Sequence, residues 1–454
     1  MAGRCRPRLS LARRQFIQAL AAGLAGEVLA GCGTAPSTGS SSPNVVLFYS
    51  DDAGYVDFGI QGSPDIPTPN IDSIGLGGVR FTSGYVSAPV CSPSRAGLLT
   101  GRYQARFGHE CNEDAKERGL PASETTLAEV LSARGYATAL IGKWHLGRQE
   151  LSHPLDNGFS EFFGTLQYAG SHRPEKEERE LFYIRGRRTE RSARSRPEAY
   201  TAESVSFIER RGNGPFFLYL PWDVPHWPIQ MFPEYESRVR HIADSQRRKY
   251  ATMMVAMDEG VGRVLAAVRR AGVEDRTLVF FINDNGARAD HGPGRARSNG
   301  PLRGGKGMLF EGGIRVVFLW RWPGRIPAGL TFPYPVIALD VFPTVAAAAG
   351  VVETRTTLDG VDLLPYVTGE RGGPPHDMLA WRACDQPRFA TIRMGDWKLH
   401  VNGQDSFMLF NLSDDLGEAH DVAAAHPDIV ERLRQRLRAW DREVSAEAAA
   451  RADR

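Results

Sequence analysis

Residues 44 to 52 read "NVVLFYSDD", and this stretch decides how the chain folds. Val45 to Tyr49 are five apolar residues in a row. A strand with one wet face would alternate polar and apolar, so an unbroken apolar run specifies a strand buried on both faces, in a parallel sheet covered by helices on either side. The run stops at Asp51 and Asp52. Both carboxylates therefore stand at the carboxyl end of a strand, where open α/β sheets bind their ligands.

The pattern recurs along the chain. "RTLVFFINDNG" (276–286) is a second buried strand that ends in Asp284, Asn285 and Gly286. Between the two, "SETTLAEVLSARG" (123–135) reads as a capped helix with Ser123 or Thr125 near its start and Gly135 closing it. It feeds the strand of "YATALIGKWHLG" (136–147), and "KYATMMVAMDEGVGRVLAAVRRAG" (249–272) has helical spacing. Strands alternating with helices imply a doubly wound α/β architecture. After about Gly369 the texture changes. Residues 378–401 and 406–415 read as short antiparallel strands, and "HPDIVERLRQRLRAWDREV" (426–444) as a closing amphipathic helix. The expected organisation is a leader and tether over 1–43, a main α/β domain over 44–370 and a smaller α+β subdomain over 371–454. No internal repeat is present, and the Arg-rich insertion 173–196 is expected to be a charged surface loop.

The 454 residues are 42% hydrophobic and 24% charged, with a formal net charge of +2. That balance offers no clustered basic surface, so a nucleic-acid partner is not expected. Residues 11–43 place Arg13 and Arg14 ahead of an apolar stretch too short to span a membrane comfortably, then Cys32 and a Ser/Gly/Pro-rich tether. The Arg pair resembles a twin-arginine export signal, and "LAGC" (29–32) resembles a lipobox whose cysteine receives lipid. An ordinary cleaved signal is the alternative. Either form implies work outside the cytoplasm, and the lipobox implies a periplasmic lipoprotein tethered to a membrane through Cys32. Five cysteines make no disulfide framework: Cys5 and Cys32 belong to the leader, a bridge between Cys111 and Cys384 is open, and Cys91 would be the odd thiol.

Two adjacent acids leaving a buried strand repel each other unless a positive charge sits between them, and a hard, oxygen-preferring cation answers that need. Asp284 and Asn285 supply further oxygens. No His/Cys cluster has zinc spacing, so calcium or magnesium is expected. Basic groups recur at strand exits. Lys143 and His145 are two apart, which an extended backbone would point to one side. His226 follows the apolar run "PFFLYL" (215–220), and Lys306 lies among glycines in "GPLRGGKGMLFEGG" (300–313). Together they suggest an anion pocket.

"CSPSRAGLLTGR" (91–102) resembles the sulfatase signature, C-x-P-x-R followed by an apolar helix and T-G-R. The resemblance runs in order through "NVVLFYSDDAGY", "GKWHLG", "PHWP", "NDNG" and "GGKGMLFEGGIRV" to "GDWKLH" and "LFNLSDDLGE", nearly the whole mature chain. It implies an alkaline-phosphatase-like fold and a sulfuric ester hydrolase. It further implies that a formylglycine-generating enzyme oxidises Cys91 to formylglycine (3-oxoalanine). Asp51, Asp52, Asp284, Asn285 and residue 91 would ligate Ca2+, or Mg2+. Arg95 would hold the modified residue, while Lys143 and Lys306 stabilise sulfate charge. His226 or Lys306 would assist the departing alcohol, and His145 the regeneration of the aldehyde.

The expected substrate is a sulfated carbohydrate. Trp222, Trp227 and Tyr168 are candidates to stack on sugar faces, and Arg185, Arg187, Arg188, Arg191, Arg194 and Arg196 to contact further sulfates. Alternative readings are a broad arylsulfatase, a phosphodiester or phosphonate monoester hydrolase of the same superfamily, and an exported sulfated-glycan-binding protein with an unconverted Cys91.

Overall fold

The computed structural model describes residues 42–452 except 168–169, 176–178, 212–213, 289–295, 353–355, 385–388 and 404–405. The leader, the lipobox with Cys32, and Tyr168 lie outside the described residues.

Twelve strands build the sheets up to residue 337: β1 (Asn44–Ser50), β2 (Val79–Phe81), β3 (Gly84–Tyr85), β4 (Ala137–Lys143), β5 (Glu161–Thr165), β6 (Leu181–Arg185), β7 (Arg188–Ser192), β8 (Phe216–Pro221), β9 (Thr277–Asn283), β10 (Phe318–Arg321), β11 (Leu330–Phe332) and β12 (Val336–Ile337). The main sheet runs β11-β2-β10-β9-β1-β8-β4-β5-β6-β7, and β3 pairs with β12. Within it β9, β1, β8, β4 and β5 are mutually parallel, so their carboxyl ends open along one edge. As the unbroken apolar run requires, Val45, Leu47 and Tyr49 enter one hydrophobic layer while Val46 and Phe48 enter the other. The helices Cys91–Thr100, Leu127–Ala133 and Val341–Ala348 cover the first face. Arg196–Arg210 and Ser245–Arg270 cover the second. Each such side chain taken fully out of water contributes roughly 1.5–3 kcal/mol, and the central strand makes that gain on both faces.

Two local expectations are corrected. The cap of helix Leu127–Ala133 is neither Ser123 nor Thr125 but Thr126. Its hydroxyl accepts from Glu129 N (3.1 Å) while the Glu129 carboxylate accepts from Thr126 N (2.9 Å), the reciprocal box that only a residue three before the glutamate can close. The Arg-rich insertion is not a loop. β6 and β7 form a hairpin on the sheet edge, with Leu181 paired to Ser192 and Arg185 to Arg188, because Leu181 and Tyr183 alternate into the core and draw the backbone into strand pairing.

Strands β13 (Leu379–Arg382), β14 (Phe389–Met394), β15 (Trp397–Asn402) and β16 (Ser406–Asn411) form the expected antiparallel sheet. Helix Pro427–Ala452 lays Leu433, Leu437, Trp440 and Val444 over Ile392, Leu399 and Leu409. This core also takes in Tyr85, Tyr103 and Ile337 from the earlier strands and loops. Lys398 reaches from β15 to Glu311 (2.8 Å) and Glu418 (2.9 Å), all three side chains buried.

His376, just before β13, touches both oxygens of Asp340 through Nε2 (2.9 and 3.0 Å). Burial would lower its pKa, but the Asp340 charge and hydrogen bond, with Asp377 nearby, outweigh that and raise it. A raised histidine contributes stability that is fully present below the unfolded value of about 6.5 and is lost as pH rises through the folded value. His376→Gln should therefore lower Tm by several degrees at pH 6 and by distinctly less at pH 8.5. A pH-independent Tm difference in calorimetry would remove the assignment.

Candidate active site

Four neighbouring parallel strands deliver the site. β1 ends in Asp51 and Asp52, β4 in Lys143, β8 leads to His226, and β9 leads to Asp284 and Asn285. Ser50 pairs with Asn283 in register, so the carboxylates that follow each strand lie side by side. Asp52 has φ 62°, a left-handed turn that brings its backbone N–H to Asp284 Oδ1 (3.1 Å). Gly286 must lack a side chain, since a Cβ there would lie 1.7 Å from the Gly312 carbonyl oxygen.

Cys91 opens the helix Cys91–Thr100 and is buried at this junction. Its Sγ lies 3.4 Å from Asp51 Oδ1, 3.9 Å from Asp52 Oδ1 and 3.1 Å from Lys306 Nζ. Arg95, one turn further and fully buried, donates to Asp284 Oδ2 (2.7 Å) and to the Lys143 carbonyl (3.2 Å). The carboxylates are thus claimed one by one: Asp284 by Arg95, Asp51 by Lys143 (2.6 Å) and Asp52 by Lys306 (2.7 Å). His226 Nε2 stands 3.6 Å from Asp52 Oδ2, and its Nδ1 lies 2.7 Å from the Trp227 carbonyl.

Lys143 and His145 do line the same pocket, but not through extended backbone. The strand ends at Lys143 and His145 turns into φ 60°, with its N–H bonded to the Leu166 carbonyl (2.9 Å). The structure brings together the residues expected as catalytic groups and metal ligands: Cys91, Lys143, His145, His226 and Lys306 line one pocket, and Arg95, Asp51, Asp52, Asp284 and Asn285 are bonded around it.

Burial and then the neighbouring Asp284 charge push the Cys91 thiol well up. Burial and the Asp51 charge push Asp284 up to about 7. Burial and Lys143 hold His145 well below the usual imidazole range, so it is neutral. Lys306 is lifted because the Asp52 charge outweighs its burial.

The donor set fits a hard divalent cation. Asp51, Asp52, Asp284 and Asn285 offer oxygens only, which suits calcium or magnesium better than zinc. Asn285 Nδ2 donates to Asp52 Oδ1 (2.8 Å) and to the Gly286 carbonyl (2.9 Å), and among the described residues the buried Asn285 Oδ1 has no partner. Such an orphaned acceptor costs about 1–3 kcal/mol unless something cationic or protic meets it. Asp51, Asp52, Cys91 and His226 also place ligand atoms within 4.8 Å of one another.

The pocket encloses about 360 Å³. Its floor is Cys91, Lys143, His145, His226 and Lys306, and its rim is Asn112, Glu113, Lys116, Arg148 and Gln167. No rim residue was expected from the sequence: Asn112, Glu113 and Lys116 follow no apolar strand, and Arg148 and Gln167 lie beyond the polar stops of β4 and β5 without a carboxylate or imidazole to mark them. Asn112 was the most legible of them, adjoining Cys111, which does form the bridge to Cys384.

The stacking candidates divide. Trp222 is fully buried and stacks nothing from solvent, whereas Trp227 is 62% exposed beside His226. Most of the insertion's arginines are committed: Arg185 to Glu190 and Glu203, Arg187 to Asp156, Arg194 to Glu198 and Arg196, itself buried, to Asp223. Arg191 lies over the Phe182 ring.

Fold and site together define an α/β hydrolase that manages an anionic ester at the carboxyl ends of a parallel sheet. The sulfatase family model matches residues 43–351. The chain is 36% identical to the N-acetylgalactosamine-6-sulfatase of Canis lupus familiaris, over 82% of this chain and 74% of that one. It is 33% identical to the arylsulfatase A of Homo sapiens over 93% and 90%. A solved structure described as Ps i-CgsB in complex with k-i-k-neocarrahexaose superposes with a TM-score of 0.83 at 33% identity, over 88% of this chain and 93% of that one. The chain belongs to the sulfatase family. It is a sulfuric ester hydrolase with an alkaline-phosphatase-like fold.

Proposed function

We propose that this enzyme removes sulfate from a sulfated carbohydrate, using an aldehyde derived from Cys91 and one bound calcium ion. The observation that carries the reading is the two-tier pocket. Its floor sets a buried Cys91 among carboxylates and lysines, and its rim of Asn112, Glu113, Lys116, Arg148 and Gln167 offers hydrogen bonds rather than an apolar wall. A polyol suits such a rim better than a hydrophobic aryl group. The N-acetylgalactosamine-6-sulfatase relatives and the structure holding a neocarrahexaose support the same substrate class.

Cys91 to Arg95 are all buried, so an enzyme that oxidises the thiol has to reach this segment before the core closes. The hydrated aldehyde supplies two hydroxyls on one carbon, one a nucleophile toward sulfur and the other a group whose ionisation restores the carbonyl as sulfate departs. Arg95, held by Asp284 and the Lys143 carbonyl, fixes the helix turn that carries residue 91. Lys143 and Lys306 turn their ammonium groups to the sulfate oxygens, where negative charge grows as the ester bond lengthens. Lys306 or His226, on the open side, protonates the departing alcohol, and neutral His145, whose buried Nδ1 has no partner among the described residues, takes up the proton whose loss restores the carbonyl. Asp51, Asp52, Asp284, Asn285 and residue 91 would hold the divalent ion, which supplies charge neutralisation at the sulfate oxygens.

The Cys111–Cys384 disulfide supports an oxidising compartment, in keeping with a periplasmic enzyme tethered through Cys32. The test is turnover of purified, converted enzyme on a panel of sulfated saccharides, aryl sulfates and matched phosphate and phosphonate esters. Sulfate release should be fastest from a saccharide. Phosphodiester or phosphonate cleavage with no sulfate released from any saccharide would replace this reading with the phosphoryl one.

A further inference from the structure

Lys116 and Arg148 stand apart from the other cations at the pocket. Lys143 and Lys306 are held by Asp51 and Asp52 and serve the ester being cleaved, whereas Lys116 and Arg148 are exposed on the rim. Among the described residues neither has a carboxylate within ion-pair distance, in a chain whose hairpin arginines are mostly engaged by acids.

Their positions are preset. Lys116 lies in the short helix Asp114–Glu117 and Arg148 in the turn after β4, and two glutamines bind these segments together. Gln149 Nε2 donates to the Lys116 carbonyl (3.0 Å). Gln167 Nε2 donates to the Ala115 carbonyl (3.5 Å), and its Oε1 accepts from Arg148. The residues before Lys116 are anchored at both ends. Asn112 Oδ1 accepts the Ser92 N–H (2.9 Å) beside residue 91, while Cys111 is bonded to Cys384 and Glu110 is paired with Arg382 (2.6 Å). The backbone of the rim is therefore tied to the segment that carries residue 91, and the Arg148 guanidinium, held by Gln167, loses little freedom on meeting an anion. Glu113, on the same rim, leaves a net positive charge there and offers an acceptor for sugar hydroxyls.

We propose that Lys116 and Arg148 form an outer subsite for a second anionic group, a sulfate ester or a carboxylate, on the saccharide whose scissile sulfate lies over residue 91. This rests on the sulfatase reading of the Cys91 pocket and adds to it a preference for doubly charged substrate. The test compares wild type with a Lys116→Ala/Arg148→Ala double variant on galactan and glycosaminoglycan oligosaccharides. Each backbone is used with one sulfate, with two sulfates, and with one sulfate plus a uronic carboxylate. Wild type should favour a doubly charged form, and the double variant should lose about tenfold of that preference in kcat/KM, through KM, with a weaker salt dependence. Which doubly charged form loses its advantage tells sulfate from carboxylate. Affinities of the same oligosaccharides for Cys91→Ala protein, with and without the two rim substitutions, give the same comparison without turnover. A tenfold loss in that binding with no sulfate released by wild type would sink the sulfatase reading and leave the subsite. An unchanged preference, or equal losses on singly and doubly charged forms, would overturn the subsite.

Discussion

Cys91→Ala abolishes sulfate release, by at least about 10³-fold in kcat, while Tm stays within a few degrees of wild type. The two halves of this expectation have separate causes. The side chain removed is the precursor of the nucleophile, and among the described residues no other hydroxyl or thiol is bonded to Asp51, Asp52 or Lys306 to take over the attack. The fold tolerates the change because one sulfur atom is lost at a helix start, a deletion worth on the order of 1 kcal/mol. Peptide mass spectrometry of active wild-type material completes the test. It should find residue 91 as the aldehyde, and full activity from protein carrying only the thiol would sink the mechanism. The proposed mechanism calls for an aldehyde hydrate at position 91 rather than a thiolate. Burial and the Asp284 charge hold the thiol protonated, and a sulfur nucleophile would lack the second hydroxyl that releases sulfate.

Removing divalent metal by chelation should have a comparable effect, a fall of at least about 10³-fold that calcium, or magnesium, should reverse. The reason lies in the bookkeeping of charge. Asp51, Asp52 and Asp284 are met most closely by Lys143, Lys306 and Arg95 respectively, with Arg95 also 3.8 Å from Asp51. If Lys143 and Lys306 turn to the sulfate, two buried carboxylates lose their closest cations, leaving Asp51 with Arg95 at 3.8 Å and Asp52 with the Asn285 amide, and an under-compensated buried charge costs several kcal/mol. A divalent ion held by these residues would make up that deficit and give the orphaned Asn285 Oδ1 a partner. Asp51→Asn and Asp284→Asn should show the same loss with no recovery on adding calcium. A readout apart from turnover is available: at one hundred times Kd, calcium should stabilise wild type by about 2.7 kcal/mol, seen as a rise in Tm, and should leave Asp284→Asn nearly unmoved. Undiminished turnover after verified removal of all metal would reject the ion.

Much of the site is legible in sequence because strand ends are. An apolar run that stops at a carboxylate says where the carboxylate stands, so Asp51, Asp52, Asp284 and Asn285 could be grouped before any coordinates. Lys143 and Lys306 were found by similar local signs, a strand exit and a glycine-rich approach. The rim escaped for the opposite reason. Lys116 and Arg148 sit in a short helix and a turn with no periodicity, and long-range bonds, those of Gln149 and Gln167 and the Leu120 N–H to the Leu146 carbonyl, put them on one face. Trp222 misled because an aromatic after a buried strand can end in the core as easily as at the mouth. It went to the core layer with Tyr200 and Met253.

The arginines of 173–196 show where composition stops being informative. Clustered charge reads as a free cationic surface only if the partners are unknown, and Glu190, Glu203, Asp156 and Asp223 come from four different places in the chain. By itself the sequence determined the doubly wound core, the carboxylate-bearing strand ends and the oddness of Cys91, because burial on two faces and an abrupt polar stop are local properties of a strand. Tertiary structure alone decided which cations pair with which acids, which tryptophan meets solvent, and that Cys111 meets Cys384. Those outcomes depend on distances between residues tens to hundreds of positions apart, which side-chain type and spacing do not encode.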